Sequence, residues 1–228
     1  MAPARTAAVA FALLALAVLW PTRGRAQVDF PPNADQFELL DVLELVVLPH
    51  ELLAIDARGG GQTAIDLELG ENVLWHRTRG RVGLVVTDRR ILAVSTISAA
   101  WQDTRLRRTE KPPAGAELGG RVALVTTRTR AIGFSGTTGN IIVSGLGPRE
   151  VVQRMAVGEN VGVILTDRRA LGLSAAVGGF FETPLRLAED VESVSALANL
   201  VTITTAERIL IFRGPSGSWE ERTLDLAR

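Results

Sequence analysis

Four arginines recur at nearly constant spacing along this 228-residue chain: Arg90, Arg130, Arg169 and Arg208 are separated by 40, 39 and 39 residues. Glu71, Glu110, Glu150 and Glu189 keep the same register. A guanidinium offers N–H donors in a planar fork that a carboxylate can meet with both oxygens. Two chemistries are therefore open. The arginines could pair with the glutamates in a structural network, or they could ring a channel and bind anions. The matching carboxylates favour the network. So does the presence of the pair in copy after copy, because a binding site usually departs from its repeat.

Two further groups could recognise a ligand. Trp101, Phe180 and Trp219 share one column of the repeat with Gln62 and Ile141, where an aromatic ring either packs between neighbouring units or carries a sugar ring. Trp75 is matched by no aromatic in the other units, and with His76, Arg77 and Arg79 it forms a local aromatic and basic cluster. Such a mixture is what protein interfaces favour; the alternative is a half-buried strand with a polar outer face. His50, in Pro49-His50-Glu51, reads as a solvated turn residue.

Catalytic patterns are missing. The sequence has no Gly-x-Ser-x-Gly elbow, no phosphate-binding glycine loop, no His-Glu-x-x-His and no Asp-rich calcium loop. With no cysteine or tyrosine and two histidines, few side chains can transfer protons near neutral pH. No cofactor or metal site is predicted. Glycoside hydrolysis would need paired carboxylates in a deep funnel, and the connections are too short to enclose a substrate.

A hydrophobic share of 46% supports a sizeable core and excludes a disordered chain. The 25 basic and 25 acidic residues cancel, so the broad basic surface of a nucleic-acid binder is missing. The absence of cysteine excludes a disulfide framework and thiolate metal sites. Residues 1–26 have the parts of a secretory signal: Arg5, an apolar run from Thr6 to Trp20, and Gly24 and Ala26 at the cleavage positions. The run is shorter than the roughly 20 residues that span a bilayer, so cleavage before Gln27 is expected, with no stable membrane span afterwards. The mature chain, residues 27–228, carries 22 basic and 25 acidic residues. The expected location is periplasmic or extracellular, and 24 arginines against the single Lys111 suggest a GC-rich bacterial genome.

The recurring arginines and glutamates belong to a longer internal repeat. Thr87, Thr127, Thr166 and Thr205 follow the same shifts, as do Leu106, Leu146, Leu185 and Leu224. A fifth, degenerate unit precedes these four, and the units run approximately over 27–70, 71–109, 110–149, 150–188 and 189–228. Each unit reads as short strands. Strand A is a continuous apolar run (82–86, 122–125, 161–165), the pattern of a strand buried on both faces. A tight turn such as Thr87-Asp88-Arg89-Arg90 leads to strand B (91–94, 131–134, 170–173, 209–212). Gly-, Ser- and Ala-rich loops lead to strand C (101–106, 180–185, 219–224). A weaker strand D is placed at 73–77, 151–155 and 191–194, with Pro112, Pro113 and Pro148 between C and D.

Four short strands in about 40 residues, repeated, predict an all-β fold, a five-bladed β-propeller of about 39-residue four-stranded repeats. Segment 28–37 is expected to lend a D strand to the blade ending at Leu224 and so close the ring, unless the blades are cut as D-A-B-C with no exchange. The stretches from Arg81 to Trp101 and from Leu200 to Trp219 resemble repeats of quinoprotein-like and lectin-like β-propellers, in which an apolar strand, a turn, a second apolar strand, a Gly-containing loop and a Trp follow one another. The Ala-Asp-Thr-Gly signature of quinoprotein-like blades is lacking, so the resemblance implies fold and little chemistry. The Thr-Asp-Arg-Arg turn also resembles bacterial pleckstrin-homology-like domains, which would imply membrane-associated repeats.

The functional expectation is an exported, non-enzymatic propeller that acts as a protein-binding or scaffolding module for an envelope or extracellular protein partner. The alternatives are a lectin-like carbohydrate-binding propeller, a glycoside-processing enzyme and the pleckstrin-like reading. The blade-to-blade variety of the B–C loops directs the search for a partner to them and to Trp75 through Arg79.

Overall fold

A computed structural model describes residues 41–187 and 189–224. They form five consecutive antiparallel sheets, the blades of a five-bladed β-propeller. The first blade joins β1 (Leu43–Val47), β2 (Glu51–Asp56) and β3 (Gln62–Asp66). The second joins β4 (Val73–Arg79), β5 (Val82–Thr87), β6 (Arg90–Ser95) and β7 (Trp101–Arg105), and the third β8 (Ala116–Leu118), β9 (Val122–Thr126), β10 (Arg130–Ser135) and β11 (Asn140–Gly145). The fourth joins β12 (Val152–Val157), β13 (Val161–Thr166), β14 (Arg169–Ser174) and β15 (Gly179–Pro184), and the fifth β16 (Val191–Ala196), β17 (Leu200–Thr205), β18 (Arg208–Arg213) and β19 (Ser218–Thr223). The described residues form no helix, hence none long and apolar enough to cross a membrane, and none of the helical closure that a pleckstrin-like domain needs.

The strand order in each complete blade is D-A-B-C. Strand D pairs with the A strand that follows it, through a two-residue hairpin such as Gly80-Arg81. Tight hairpins oblige consecutive strands to be antiparallel neighbours, so the second way of cutting the blades is the observed one. In the fifth blade the place beside strand A is taken by β16. The closing strand expected from segment 28–37 lies outside the described residues. The D strand of the third blade, β8, has no counterpart among the predicted strands; it is only three residues long and follows the Pro112-Pro113 interruption.

The core lies between sheets. Val82, Leu84, Val86 and Ile91 of the second blade pack on Ala123, Val125, Ile132 and Phe134 of the third. Leu124 and Ala131 meet Ile164, Leu171 and Leu173, and Val161, Val163 and Leu165 meet Val201, Ile203, Leu210 and Phe212. Leu43, Leu52 and Ala54 of the first blade pack on Val85, Leu92 and Val94. Every residue of β5, β6, β10 and β13 is buried, which is why these segments lack the polar alternation of a one-sided sheet.

The two ends of the blades are joined differently. At the D–A turns, backbones bond directly from blade to blade: Val42 N–H to Gly80 O, Arg81 N–H to Gly120 O, Arg121 N–H to Glu159 O and Asn160 N–H to Ala198 O, at 2.7–3.0 Å. The approach there is so close that a Cβ on Gly158 would fall 1.7 Å from the Leu197 carbonyl oxygen. The opposite end, with the A–B turns and C–D links, is joined by side chains.

Candidate functional site

The side-chain joint is built on the repeating glutamate, threonine and arginine. Glu71 closes the C–D link by accepting the Glu68 N–H at 2.8 Å, while its own N–H bonds the Glu68 carbonyl. Its other oxygen accepts from Thr87 Oγ1 at 2.7 Å and Arg90 Nε at 2.9 Å. Thr87 is fixed in turn because its hydroxyl accepts the Arg90 N–H at 2.9 Å. Arg90 Nη2 bonds Glu71 at 3.0 Å and also the carbonyl of Asp66, at the end of strand C in the preceding blade, at 2.7 Å. One clasp thus ties a C–D link, an A–B turn and the neighbouring blade together.

The clasp recurs at each junction among the described blades. Arg130 holds Glu110 and the Arg105 carbonyl, Arg169 holds Glu150 and the Gly145 carbonyl, and Arg208 holds Glu189 and the Pro184 carbonyl. The side chains of Arg130 and Glu110 are 6% and 1% exposed. Burial raises the Glu110 pKa, but bonds from Arg130, Thr129, the Arg107 N–H and Thr127 outweigh it and hold the carboxyl at about 2. The Arg208 guanidinium and the Arg186 N–H hold Glu189 at about 2 against the opposing pull of burial. Glu71 and Glu150 are likewise lowered, despite burial, by Arg90 and Arg169. These guanidiniums are filled by carboxylate and carbonyl oxygens, so the arginines act as joints between blades and present no open ring of donors to an anion.

The aromatic column also faces the junctions. Trp101 packs against Leu43, Leu52, Ala54, Val85 and Leu92, and its Nε1 donates to the Thr63 carbonyl of the preceding blade at 3.2 Å. Trp219 donates to the Phe181 carbonyl at 2.8 Å and packs on Phe212 with centroids 5.1 Å apart and the rings tilted by 42°. Phe180 packs in the core between the third and fourth blades. An open groove of about 510 Å³ beside Gln102, Asp103, Asn140 and Ile141 has no aromatic ring in its lining.

Trp75, Arg77 and Arg79 alternate on one face of β4 after a bulge at Leu74. Trp75 Nε1 donates to the Pro113 carbonyl at 2.8 Å, and Arg79 reaches the Leu118 carbonyl at 3.1 Å. Arg77 lies 5.8 Å from the Trp75 ring centroid and reaches the Ala116 carbonyl. These three side chains brace the next blade's D strand and the link before it; His76, between them, is exposed.

That link departs from the repeat. It spans ten residues between β7 and β8, against six for the other C–D links. Beside it, between the third and fourth blades, lies an open groove of about 420 Å³ lined by Lys111, Pro112, Pro113, Thr126, Arg128, Leu146, Val151 and Val152, with the clasp residues Thr127 and Glu150 also in its wall. Its floor is apolar, Val151 is 58% exposed, and Lys111 and Arg128 stand exposed at its rim. In the sequence alone Pro112 and Pro113 read only as strand breakers. The signal in the sequence is slight: 16 residues separate strands C and A here against 15 in the other blades, and the link is long chiefly because the D strand beside Pro112-Pro113 is short.

No protein-family model matches this sequence, and no curated protein matches it. Solved structures similar to it include Prp20p from Saccharomyces cerevisiae, with 10% identity over 75% of this chain and 55% of that one and a TM-score of 0.39. The apo form of AztD from Citrobacter koseri is 11% identical over 80% of this chain and 60% of that one, with a TM-score of 0.35. PorZ, a surface component of the type-IX secretion system of Porphyromonas gingivalis, is 14% identical over 85% of this chain and 28% of that one, with a TM-score of 0.38. The chain spans between about a quarter and three fifths of these proteins' lengths. What the chain is remains defined by its own strands: it is a β-propeller repeat protein.

Proposed function

We propose that this chain is an exported, non-enzymatic propeller that binds a protein partner through the groove between the third and fourth blades. The observation that carries this reading is the ten-residue C–D link, a departure from the repeat that opens an apolar floor beneath a basic rim at one junction. The recurring ionisable groups are engaged in clasps, so recognition falls to the residues that do not recur. The partner that fits is a segment with an apolar side chain for Val151 and Val152 and carboxylates for Lys111 and Arg128. Trp75, Arg77 and Arg79 act behind the groove by fixing the link that forms one wall. Cleavage after Ala26 would place this surface outside the cytoplasm.

The test is site-specific photo-cross-linking in cells, with Val151→p-benzoylphenylalanine as the probe and Val143→p-benzoylphenylalanine as the exposed control. The expected result is one discrete adduct from position 151 only, lost in the Lys111→Glu/Arg128→Glu background. Equal labelling from both positions, or an adduct insensitive to charge reversal, would overturn the groove assignment. N-terminal sequencing of the chain from fractionated cells tests export separately; a mature protein in the cytoplasm that begins before Gln27 would refute it.

A further inference from the structure

We infer that the junction between the first and second blades contains a receptor pocket for a phenyl-sized apolar ring. The argument comes from register. On strand C, Thr63 pairs with Ala54 as Phe181 pairs with Gly172, so Thr63 and Phe181 occupy equivalent places. On strand B, Val94 pairs with Trp101 as Phe212 pairs with Trp219. Between the fourth and fifth blades the two phenylalanines fill the junction: their ring centroids lie 6.0 Å apart, and Phe212 lies 5.1 Å from Trp219. The Phe181 ring also covers Gly217, where an added Cβ would come within 2.5 Å of it.

Between the first and second blades the backbone frame is retained. Trp101 bonds the Thr63 carbonyl as Trp219 bonds that of Phe181. Both phenyl rings are replaced by smaller side chains, and a pocket of about 120 Å³ lies there, with Leu43, Ala54, Thr63, Val94 and Ala99 in its wall. An apolar cavity of about 150 Å³ is known to stay dry and to admit benzene, so this space is of the right order for one ring entering from the open side. Asp56, Gln62, Ser95 and Thr96 also line the pocket, but most of its lining surface is apolar, so water gains little there, whereas an apolar ring gains by leaving solvent. The ligand is thus a neutral phenyl-type group, either a small aromatic molecule or the aromatic side chain of a peptide. The pocket is separate from the groove between the third and fourth blades and stands or falls without it.

Fluorobenzene titrated into the mature chain provides the test, followed by fluorine NMR and by intermolecular NOEs to assigned methyl groups. The expected result is saturable binding with NOEs to Leu43, Val94 and Ala99, weakened at least tenfold in Thr63→Phe, which supplies the ring found at the other junction. If Thr63→Phe does not fold, the wild-type NOEs still decide. A titration with N-acetyl-phenylalanine amide distinguishes the sources: binding at least as tight as fluorobenzene indicates a peptide side chain, and binding of fluorobenzene alone indicates a free small molecule. The absence of saturable binding, NOEs only to methyl groups outside the pocket wall, or binding unchanged in a folded Thr63→Phe would overturn the pocket assignment.

Discussion

The middle and terminal blades are built from one repeat yet bury their residues differently. In β5, β6 and β13 every residue is buried. In β17 and β18 burial alternates: Val201, Ile203, Leu210 and Phe212 face the fourth blade and are buried, while Thr202, Thr204, Ile209 and Ile211 on the other face are half-buried. In the first blade Leu52 and Ala54 are buried and Leu53 and Ile55 only partly so. The clasps divide the blades differently, since the terminal fifth blade keeps its clasp of Arg208 with Glu189 and only the first blade lacks one. At the A–B turn of the first blade, Leu48 and Glu51 stand where the other blades have threonine and arginine, and the turn is closed by a backbone bond from Leu48 N–H to Glu51 O at 2.9 Å. The strands are thus common to all five blades and the differences lie at the junctions; in repeat arrays each neighbour interface adds its own contribution to stability.

The largest expected effect comes from emptying one side of a clasp. Arg130→Met leaves Glu110 buried without its cation, and breaking a buried pair in this way costs about 3–5 kcal/mol. The exposed pair of Arg213 and Glu220, each 52% exposed, is the control: solvent screens it, so Arg213→Met should leave the unfolding curve almost unchanged. Urea unfolding of the two variants checks the contrast, and equal losses would mean that burial of the clasp contributes nothing. Acid offers a second view. Because the Glu110 and Glu189 carboxyls are held at about 2, below the ordinary value of 4.5, their contribution is present above pH 4.5. The unfolded chain takes up protons first as the pH falls, so that contribution is lost between the two values. Glu110→Gln should flatten this part of the stability profile.

Truncation on the two faces of the terminal and middle blades is next in size. Leu171, 1% exposed between the third and fourth blades, should cost about 2–5 kcal/mol when changed to alanine. Ile211→Ala, on the half-buried face of the fifth blade, should cost less than Leu171→Ala, since part of the Ile211 surface already stays in water. Thermal unfolding of both variants decides. An Ile211 loss as large as that of Leu171 would show that this face is covered, as a closing contact with the first blade would require, and would erase the division between middle and terminal blades.

Four blades were legible in the sequence because burial on both faces writes continuous apolar runs, and because the clasp demands a threonine and an arginine at each A–B turn and a glutamate in each C–D link. The start of strand A and the Thr–Arg spacing of the A–B turns needed no alignment to be seen; Val82, Val122 and Val161 mark the first, and Thr87 with Arg90 the second. β8 was not legible: three residues give no periodicity, and its pairing is enforced from outside by Arg77 and Arg79. The pairing of Glu71 with Arg90 could be read as a level in the meander, but the reach of each arginine to the preceding blade's carbonyl could not. Both cavities arise from what is missing, an aromatic ring at Thr63 and a tight link at Lys111 to Pro113, and a missing group shows only when the columns are compared across junctions.

The smallest predicted effect has the opposite sign. Gly60, Gly139, Gly178 and Gly217 hold the left-handed conformation in the B–C turns, with φ between 63° and 72°. In the second blade the same place is taken by Ala99 at φ 49°, a conformation costing an alanine about 1–2 kcal/mol. The preceding blade explains why the methyl is tolerated. A Cβ on Gly139 would come within 2.6 Å of Ser98, whereas the residue corresponding to Ser98 beneath Ala99 is Gly59, and the Ala99 methyl lines the apolar pocket instead. Ala99→Gly should relieve the strain, partly offset by the greater entropy of glycine in the unfolded chain, for a net gain of about 0.5–1 kcal/mol. Gly139→Ala should lose stability through both strain and the clash. A matched pair of melting curves is the measurement, and a loss on Ala99→Gly would mean that the methyl's contacts in the pocket outweigh the backbone it strains.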